Sequence, residues 1–285
     1  EHFPQVELVA VDEFATTAKA PNLEGKNVAH FVHRMVFHDW LTDHADEVEV
    51  VFHLGARTDT TEKDHRIFDE LNLEYSQKLW KICTDHQIPF LYASSAATYG
   101  GGEYGYSDAH EWVQQLKPLN PYGESKNDFD KWALSQKETP PQWAGFKFFN
   151  VFGPNEFHKG RMASVVFHAF HQIKEHGKMK LFKSHRADIL HGHQSRDFVY
   201  IVDVLKMINW IRQAKPENGL YNIGSGTPNT FLDLVHFTFE AMGTPPQIEF
   251  IDTPKDIRDS YQYYTCADME KLKEAGYQEE PYSFR

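Results

Sequence analysis

The chain is short of cysteine, of positive charge and of long apolar runs, and each shortage removes a class of protein. Two cysteines, Cys83 and Cys266, occur among 285 residues. Thiols so far apart make no disulfide framework, and a reducing cytoplasm suits them. Lys and Arg number 29 against 41 Asp and Glu, a formal net charge of -12. Nucleic acid, whose backbone needs a basic face, is therefore a poor partner, although a local basic cleft could still hold a small anion. No run of about 18 apolar residues is present to cross a membrane, and no secretory leader pattern opens the chain. The 17 histidines include a cluster at His185, His191 and His193. It lacks a helical HExxH or a cysteine partner, so it reads as a polar loop and no metal is expected.

What remains is ample for a core. Hydrophobic residues make up 41% and aromatics 14% of the chain, which argues against disorder and for one large or two modest domains. Residues 6–11 read as a buried strand ending at Asp12, and residues 49–54 as a second, followed by Gly55-Ala56. A helix is predicted over 67–86, with Phe68, Leu71, Tyr75, Leu79 and Ile82 at three- and four-residue steps. A third strand over 89–93 ends in Ser94-Ser95; a helix over 122–136 and a strand over 145–150 follow. Past Asn150 come a loop, a helix over 163–176, a His-rich irregular stretch to Ser195, a strand over 198–201 and a helix over 203–214. Strands alternating with helices predict a doubly wound, mainly parallel sheet. In such sheets ligands sit at the carboxyl ends of strands, where Asp12, Gly55-Ala56, Ser94-Ser95 and Asn150 all fall.

Tyr122-x-x-x-Lys126 carries the first chemistry. Residues four apart share a helix face. An ammonium beside a phenol favours the phenolate and makes the tyrosine a usable acid/base. Alone, the spacing is an aromatic with a snorkelling lysine. Upstream, however, Ser94-Ser95-Ala96-Ala97-Thr98-Tyr99-Gly100 puts Ser95 at a strand end, where its hydroxyl can meet a substrate oxygen as charge changes.

In order along the chain, SSAATYG, NPYGESK, FKFFNVFGP and RDFVYIVDV resemble the extended short-chain dehydrogenases/reductases, the group of nucleotide-sugar epimerases and dehydratases. Within it, FHLGARTDTTE, PFLYASSAATYGG, FNVFGPNEFHKGRMAS, LFKSH and RDSYQYYTCADM are most similar to members acting on ADP-heptose. The resemblance spans nearly the whole chain. It implies an NADP-dependent enzyme of α/β class: a Rossmann-like doubly wound parallel sheet with a smaller mixed α/β substrate domain. The cofactor domain would comprise residues 1–157 plus 199–226, and the substrate domain 158–198 plus 227–285. It implies a catalytic set of Ser95, Tyr122 and Lys126, with Lys159 of HKGRMAS as a second proton donor on the opposite sugar face. Asp12, Glu13 and Lys19 would meet the adenosine end of NADP, with Lys19 on the 2'-phosphate. Leu54, Gly55, Ala56, Arg57, Thr58, Asn72 and Val151 would line the cofactor, with Lys126 also on the nicotinamide ribose. Asn150, Arg161, His168, Phe182, Lys183, Ser184, His185, Arg196 and Tyr261 would line the sugar-nucleotide pocket, the fork of Arg196 suiting a diphosphate. Members assemble as oligomers, and those acting on ADP-heptose as homopentamers.

The chain departs from the family at both ends. The family opens with a strand and a Gly-x-x-Gly-x-x-Gly turn that holds the pyrophosphate at a helix N-terminus. No such segment precedes Val6, so the first strand here matches the family's second. The end at Tyr282-Ser283-Phe284-Arg285 is short of a final family helix. The expectation is that the sequence is trimmed from a longer one. Gly224-Ser225-Gly226-Thr227-Pro228-Asn229 imitates a dinucleotide turn, but Asn229 replaces the third glycine and it follows the Tyr-Lys pair, so it reads as a turn into the substrate domain. Other readings are another sugar-nucleotide epimerase or dehydratase, and a non-catalytic nucleotide binder. Ala96-Ala97, where dehydratases usually place Asp-Glu, argues against dehydration; the intact Ser95, Tyr122 and Lys126 argue against a mere binder.

Overall fold

The computed structural model describes residues 6–15, 17–258 and 261–282. Asp259 and Ser260 of the RDSYQYYTCADM motif, and residues 283–285, lie outside the described residues. Strands β1 (Leu8–Asp12) and β2 (Val28–His33) pair in parallel, Val11 opposite Val32, and helix α1 (Phe37–Asp43) follows. The sequence pattern gives no sign of β2. Its Val-Ala-His-Phe-Val-His buries Val32 and leaves Phe31 and both histidines exposed, so no apolar alternation betrays it.

β3 (Val51–His53) leads through the Gly55 loop into a long helical stretch. The single predicted helix is three pieces: α2 (His65–Phe68), a π-helical turn (Asp69–Glu74) and α3 (Tyr75–Asp85). Such wide turns cluster at functional sites. This one turns Asn72 inward, where it is buried.

β4 (Phe90–Ser95), α4 (Pro121–Ser135) and β5 (Trp143–Phe148) follow, with α6 (Ile201–Ala214) and β9 (Gly219–Ile223) completing the unit once the intervening elements are counted. Those intervening elements are β6 (Asn150–Phe152), α5 (Val165–His176), β7 (Met179–Phe182) and β8 (Ser195–Tyr200). The order β3-β4-β5-β9 is parallel throughout. All six β4 residues are buried, as a strand covered on both faces requires. Phe90 and Tyr92 face α3 and α4 through Leu79, Trp80, Cys83, Phe129 and Ala133. Leu91, with Ala144 and Phe146 of β5, faces α6 through Val204, Met207, Ile208 and Ile211. Helices on both faces make the sheet doubly wound, as the alternation predicts. Trp80 anchors the first face, meeting Phe90, Phe129, Trp132 and Trp143 edge-on at 5.0–6.2 Å between centroids. Each such pair contributes about 0.5–1.5 kcal/mol beyond area burial.

The chain leaves this sheet at Phe149. The predicted strand over 145–150 is split there: β5 stops at Phe148, and β6 pairs with β8 in a second sheet. β10 (Pro228–Thr230) joins β8 antiparallel, then α7 (Phe231–Ala241) and β11 (Ile248–Ile251) follow. The His-rich stretch expected to be irregular contains β7, four residues too short to signal from pattern, paired in parallel with β11. Ala169, Ile173, Met179, Leu181, Phe198, Leu234, Val235 and Phe239 form a separate core here. The Gly224–Gly226 turn holds an anion of its own: the Asp197 carboxylate accepts from the N–H groups of Ser225 (2.7 Å), Gly226 (2.9 Å) and Ala267 (2.9 Å). The turn is thus a structural junction, as its sequence context suggests.

Candidate active site

The Asn120 carboxamide caps α4, accepting the Gly123 N–H at 2.8 Å, and Pro121 occupies the first turn. Gly123 permits close approach: a Cβ there would lie 2.8 Å from the Ala97 carbonyl. The helix start is thereby pressed against the end of β4. Tyr122 comes close enough to Ser95 for that hydroxyl to act on its phenol, and its ring lies 6.5 Å from that of Phe68. One turn on, the buried Lys126 ammonium donates to the Ala93 carbonyl at 2.8 Å. The Ser95 hydroxyl also accepts the Ala97 N–H at 3.1 Å. Serine and tyrosine are thus neighbours where β4 ends against the start of α4, and the lysine is tied to the same strand through Ala93.

Their electrostatics differ from expectation in one respect. Burial pushes Lys126 down to about 8, with the Asp130 carboxylate opposing the shift. Burial pushes the Tyr122 phenol up from 10.0, the Ser95 hydroxyl opposes this and Asp130 adds to it. The expected lowering of Tyr122 by Lys126 is therefore corrected for the chain by itself. The ammonium spends a hydrogen bond on Ala93, and desolvation of the phenol wins.

Below the set lies a buried network that sequence reading missed. Lys147 and Asp130 are fully buried and paired at 2.9 Å. Asp130 also accepts from Tyr92 (2.9 Å) and Ser94 (2.6 Å). The available signal was Lys147 itself, a charge inside the apolar run Phe146–Phe149, where a lysine requires a buried partner.

The expected cofactor residues fall at strand ends. The Lys19 ammonium lies 3.0 Å from both Asp12 carboxylate oxygens, and Arg34 pairs with Glu13 at 3.3 Å. Burial pushes the Asp12 carboxyl up, but Lys19, the Glu13 N–H and Arg34 outweigh it and hold it below the usual range. Arg34 carries no signal in the sequence, because β2, which leads into it, shows no local apolar pattern. Leu54, Gly55, Arg57 and Thr58 are exposed along the loop after β3, with Ala56 and, on β6, Val151 half-buried. Asn72 accepts the Arg57 N–H at 2.8 Å and donates to the Arg57 carbonyl and to Ser125 Oγ, each at 3.0 Å. A Cβ on Gly55 would meet open space, so the loop presents a free backbone shelf. Acceptors, cations and shelf fit a nucleotide laid across these strand ends.

The expected substrate residues divide. Arg196, Phe182 and Tyr261 come together: the buried guanidinium stacks on Tyr261 at 5.3 Å and on Phe231 at 5.4 Å, and the Phe182 and Tyr261 rings lie 6.4 Å apart. The same guanidinium donates to the Ser195 carbonyl at 2.9 Å and to that of Gln262. Phe231 was not in the expected set. Lys183 pairs with Asp252 at 3.2 Å. Ser184 spends its hydroxyl in a turn, donating to the Arg186 carbonyl at 3.0 Å, while His185 Nε2 accepts the Thr253 N–H at 3.3 Å. Asn150 and Arg161 are exposed, and His168 is half-buried on α5. Lys159 pairs at 3.5 Å with the buried Glu156, which also accepts from Ser164 at 2.7 Å and 2.8 Å. Among the described residues no group of three or more His, Cys, Asp or Glu could hold a metal ion, and no helix is long and apolar enough to cross a membrane.

A doubly wound parallel sheet that sets a strand-end serine against a helix-borne Tyr-x-x-x-Lys defines the short-chain dehydrogenase/reductase class. The chain belongs to the NAD dependent epimerase/dehydratase family, whose pattern matches residues 4–224. It is 42% identical to an ADP-L-glycero-D-manno-heptose-6-epimerase of Fusobacterium nucleatum, covering 97% of this chain and 86% of the relative. It is 43% identical to one of Nitratidesulfovibrio vulgaris, covering 95% and 84%. Among solved structures, the ADP-L-glycero-D-manno-heptose-6-epimerase of Helicobacter pylori superposes with a TM-score of 0.81 at 25% identity, over 99% of this chain and 86% of that one. A UDP-glucose 4-epimerase of Thermotoga maritima shares the fold, with a TM-score of 0.78 at 21% identity over 97% and 86%.

Proposed function

We propose that the chain is an isomerase that interconverts ADP-D-glycero-D-manno-heptose and ADP-L-glycero-D-manno-heptose by transient oxidation at C6''. The observation that carries it is the convergence of Ser95, Tyr122 and Lys126 in a chain whose relatives at 42–43% identity bear that epimerase name. A bound nicotinamide dinucleotide would supply a reversible two-electron acceptor. Asp12, Lys19 and Arg34 would hold its adenosine end, and the Leu54–Thr58 shelf its middle. Lys19 and Arg34 favour NADP, since both could turn from their carboxylate partners to a 2'-phosphate.

Tyr122 takes the proton from the C6'' hydroxyl as it is oxidised, and Ser95 donates a hydrogen bond to the resulting ketone oxygen. Lys126 stabilises the phenolate by its charge. Inversion requires reduction from the opposite sugar face, and Lys159 delivers the second proton there; Glu156 holds its loop. Arg196, stacked between Tyr261 and Phe231, meets the diphosphate, and Asn150, Arg161, His168, Phe182 and the Lys183–His185 turn complete the sugar-nucleotide side. Residues 158–198 and 227–285 would form that substrate domain. The enzyme would act in the cytoplasm, as a homopentamer, supplying heptose for the lipopolysaccharide core.

The test is to incubate the protein with ADP-D-glycero-D-manno-heptose, with and without NADP+, and follow C6'' by proton NMR. Appearance of the L-glycero epimer is expected. NADP binding without conversion would assign another sugar nucleotide, and neither binding nor conversion would favour the non-catalytic reading. A Lys159→Met variant with undiminished turnover would remove Lys159 from the two-base scheme.

A further inference from the structure

We propose that Asp130 is a positioning residue of the reaction: paired with Lys147 inside the sheet, it fixes the Ser95 strand end against the face of α4 that carries Tyr122 and Lys126. The inference rests on the reading of those three as the reacting set.

Tyr122, Lys126 and Asp130 are spaced four apart and share one helix face. From Asp130 two arms run back to the reacting groups. The first is Tyr92 and Ser94, which donate to its carboxylate at 2.9 Å and 2.6 Å and flank Ala93. Ala93 is the residue whose carbonyl receives the Lys126 ammonium at 2.8 Å. The second is Lys147, which bonds both Asp130 and, at 2.8 Å, the Thr98 hydroxyl; Thr98 in turn donates to the Ser95 carbonyl at 2.8 Å. One carboxylate therefore sets the place of Lys126 and of Ser95 together.

Stability is a poor reason for such a pair, because removing two charges from water costs about as much as their attraction returns. Placement gives a better one, since the same carboxylate ends both arms; its charge also opposes ionisation of the Tyr122 phenol. The titratable groups that act on Lys126 or feel its charge are Asp130 from α4 and His53 from β3. His53 is uncharged, since burial, with help from Lys126, holds it down to about 3. Asp130 is the anion whose charge supports the Lys126 ammonium.

Asp130→Asn keeps the shape and removes the charge. The expected result is KM within about twofold of wild type and kcat lowered about 100-fold, the scale of a small misplacement. The alkaline limb of the kcat–pH profile should also move down by about one unit as the Lys126 ammonium loses its anion. Because the single change leaves Lys147 unpaired, Asp130→Asn/Lys147→Met is made in parallel. It should recover the melting temperature yet stay slow, since Thr98 and Ser95 remain unanchored. A folded Asp130→Asn protein with wild-type kcat and pH limb overturns the proposal, as does full recovery of both in the double variant. If the wild-type chain turns over no ADP-heptose, the functional reading fails separately. The Lys126 titration, followed by NMR of its labelled side chain, then decides: a lower midpoint in Asp130→Asn supports the role of Asp130, and an unchanged one refutes it.

Discussion

The Asn72 carboxamide pairs with the Arg57 backbone as a strand neighbour would, accepting its N–H at 2.8 Å and donating to its carbonyl at 3.0 Å. The shelf after β3 is thereby tied to the π-helical turn, and through Ser125 to α4. Asn72→Asp retains the acceptor and loses both donor bonds. Cofactor affinity should fall about tenfold, the equivalent of one net hydrogen bond, and the melting temperature should drop by several degrees, because a buried carboxylate would face two oxygens. Calorimetric titration with NADP+ measures it.

The ordinary pKa of Lys126 is 10.5 and its folded value about 8. Activity that needs the ammonium should fall as pH rises through about 8. Stability moves the other way. Between about 8 and 10.5 the unfolded chain holds more protons than the folded one, so this residue's contribution to stability rises with pH across that window and is flat below it. Subtracting urea midpoints of a Lys126→Met variant from those of wild type, pH by pH, isolates the trend. A difference flat across the window would refute it.

Tyr122→Phe removes the proposed acid/base and keeps the ring against Phe68. Turnover should drop about 100- to 10,000-fold with binding retained. Single-turnover NMR and a thermal melt together distinguish lost chemistry from lost fold.

Gly145 sits where a Cβ would lie 2.4 Å from the Tyr92 hydroxyl oxygen and 2.7 Å from Leu220. Gly145→Ala must displace Tyr92, which donates to Asp130. A loss of about 1–3 kcal/mol is expected, as for overpacking, read as a melting temperature lowered by several degrees.

Arg196→Lys keeps the charge but not the flat stack on Tyr261 and Phe231. KM for the sugar nucleotide should rise about tenfold with kcat little changed, because a lysine cannot grip a diphosphate as a fork. Steady-state kinetics separates the two constants.

Much of this site is legible in the chain. Asn120-Pro121 announces a helix start, and the four-residue step from Tyr122 to Lys126 puts both on one face. The apolar strand before Ser95 announces a buried parallel strand. What escapes is whatever lacks local pattern. β2 shows no alternation because one of its residues is buried. The π turn depends on a hydrogen-bond shift that no periodicity encodes. Asp130 and Lys147 lie 17 residues apart and meet through the sheet, so their pairing is visible only in three dimensions. The Tyr122 phenol likewise could not be read as raised, since desolvation is a property of the packed site.

The β1–β2 ribbon has a last consequence. Two parallel strands alone are marginal, and Leu8 and Phe31 here stay half exposed, at 50% and 56%. Val9, Val11 and Val32 hold the ribbon to the main core. Its amides should therefore exchange with solvent well before those of β4, through local opening that leaves the rest of the sheet closed. Asp12, at the end of β1, and Lys19, in the turn that follows, ride on that opening, so a nucleotide gripped there draws the ribbon shut. Amide protection and nucleotide affinity then report one shared equilibrium, each rising with the other.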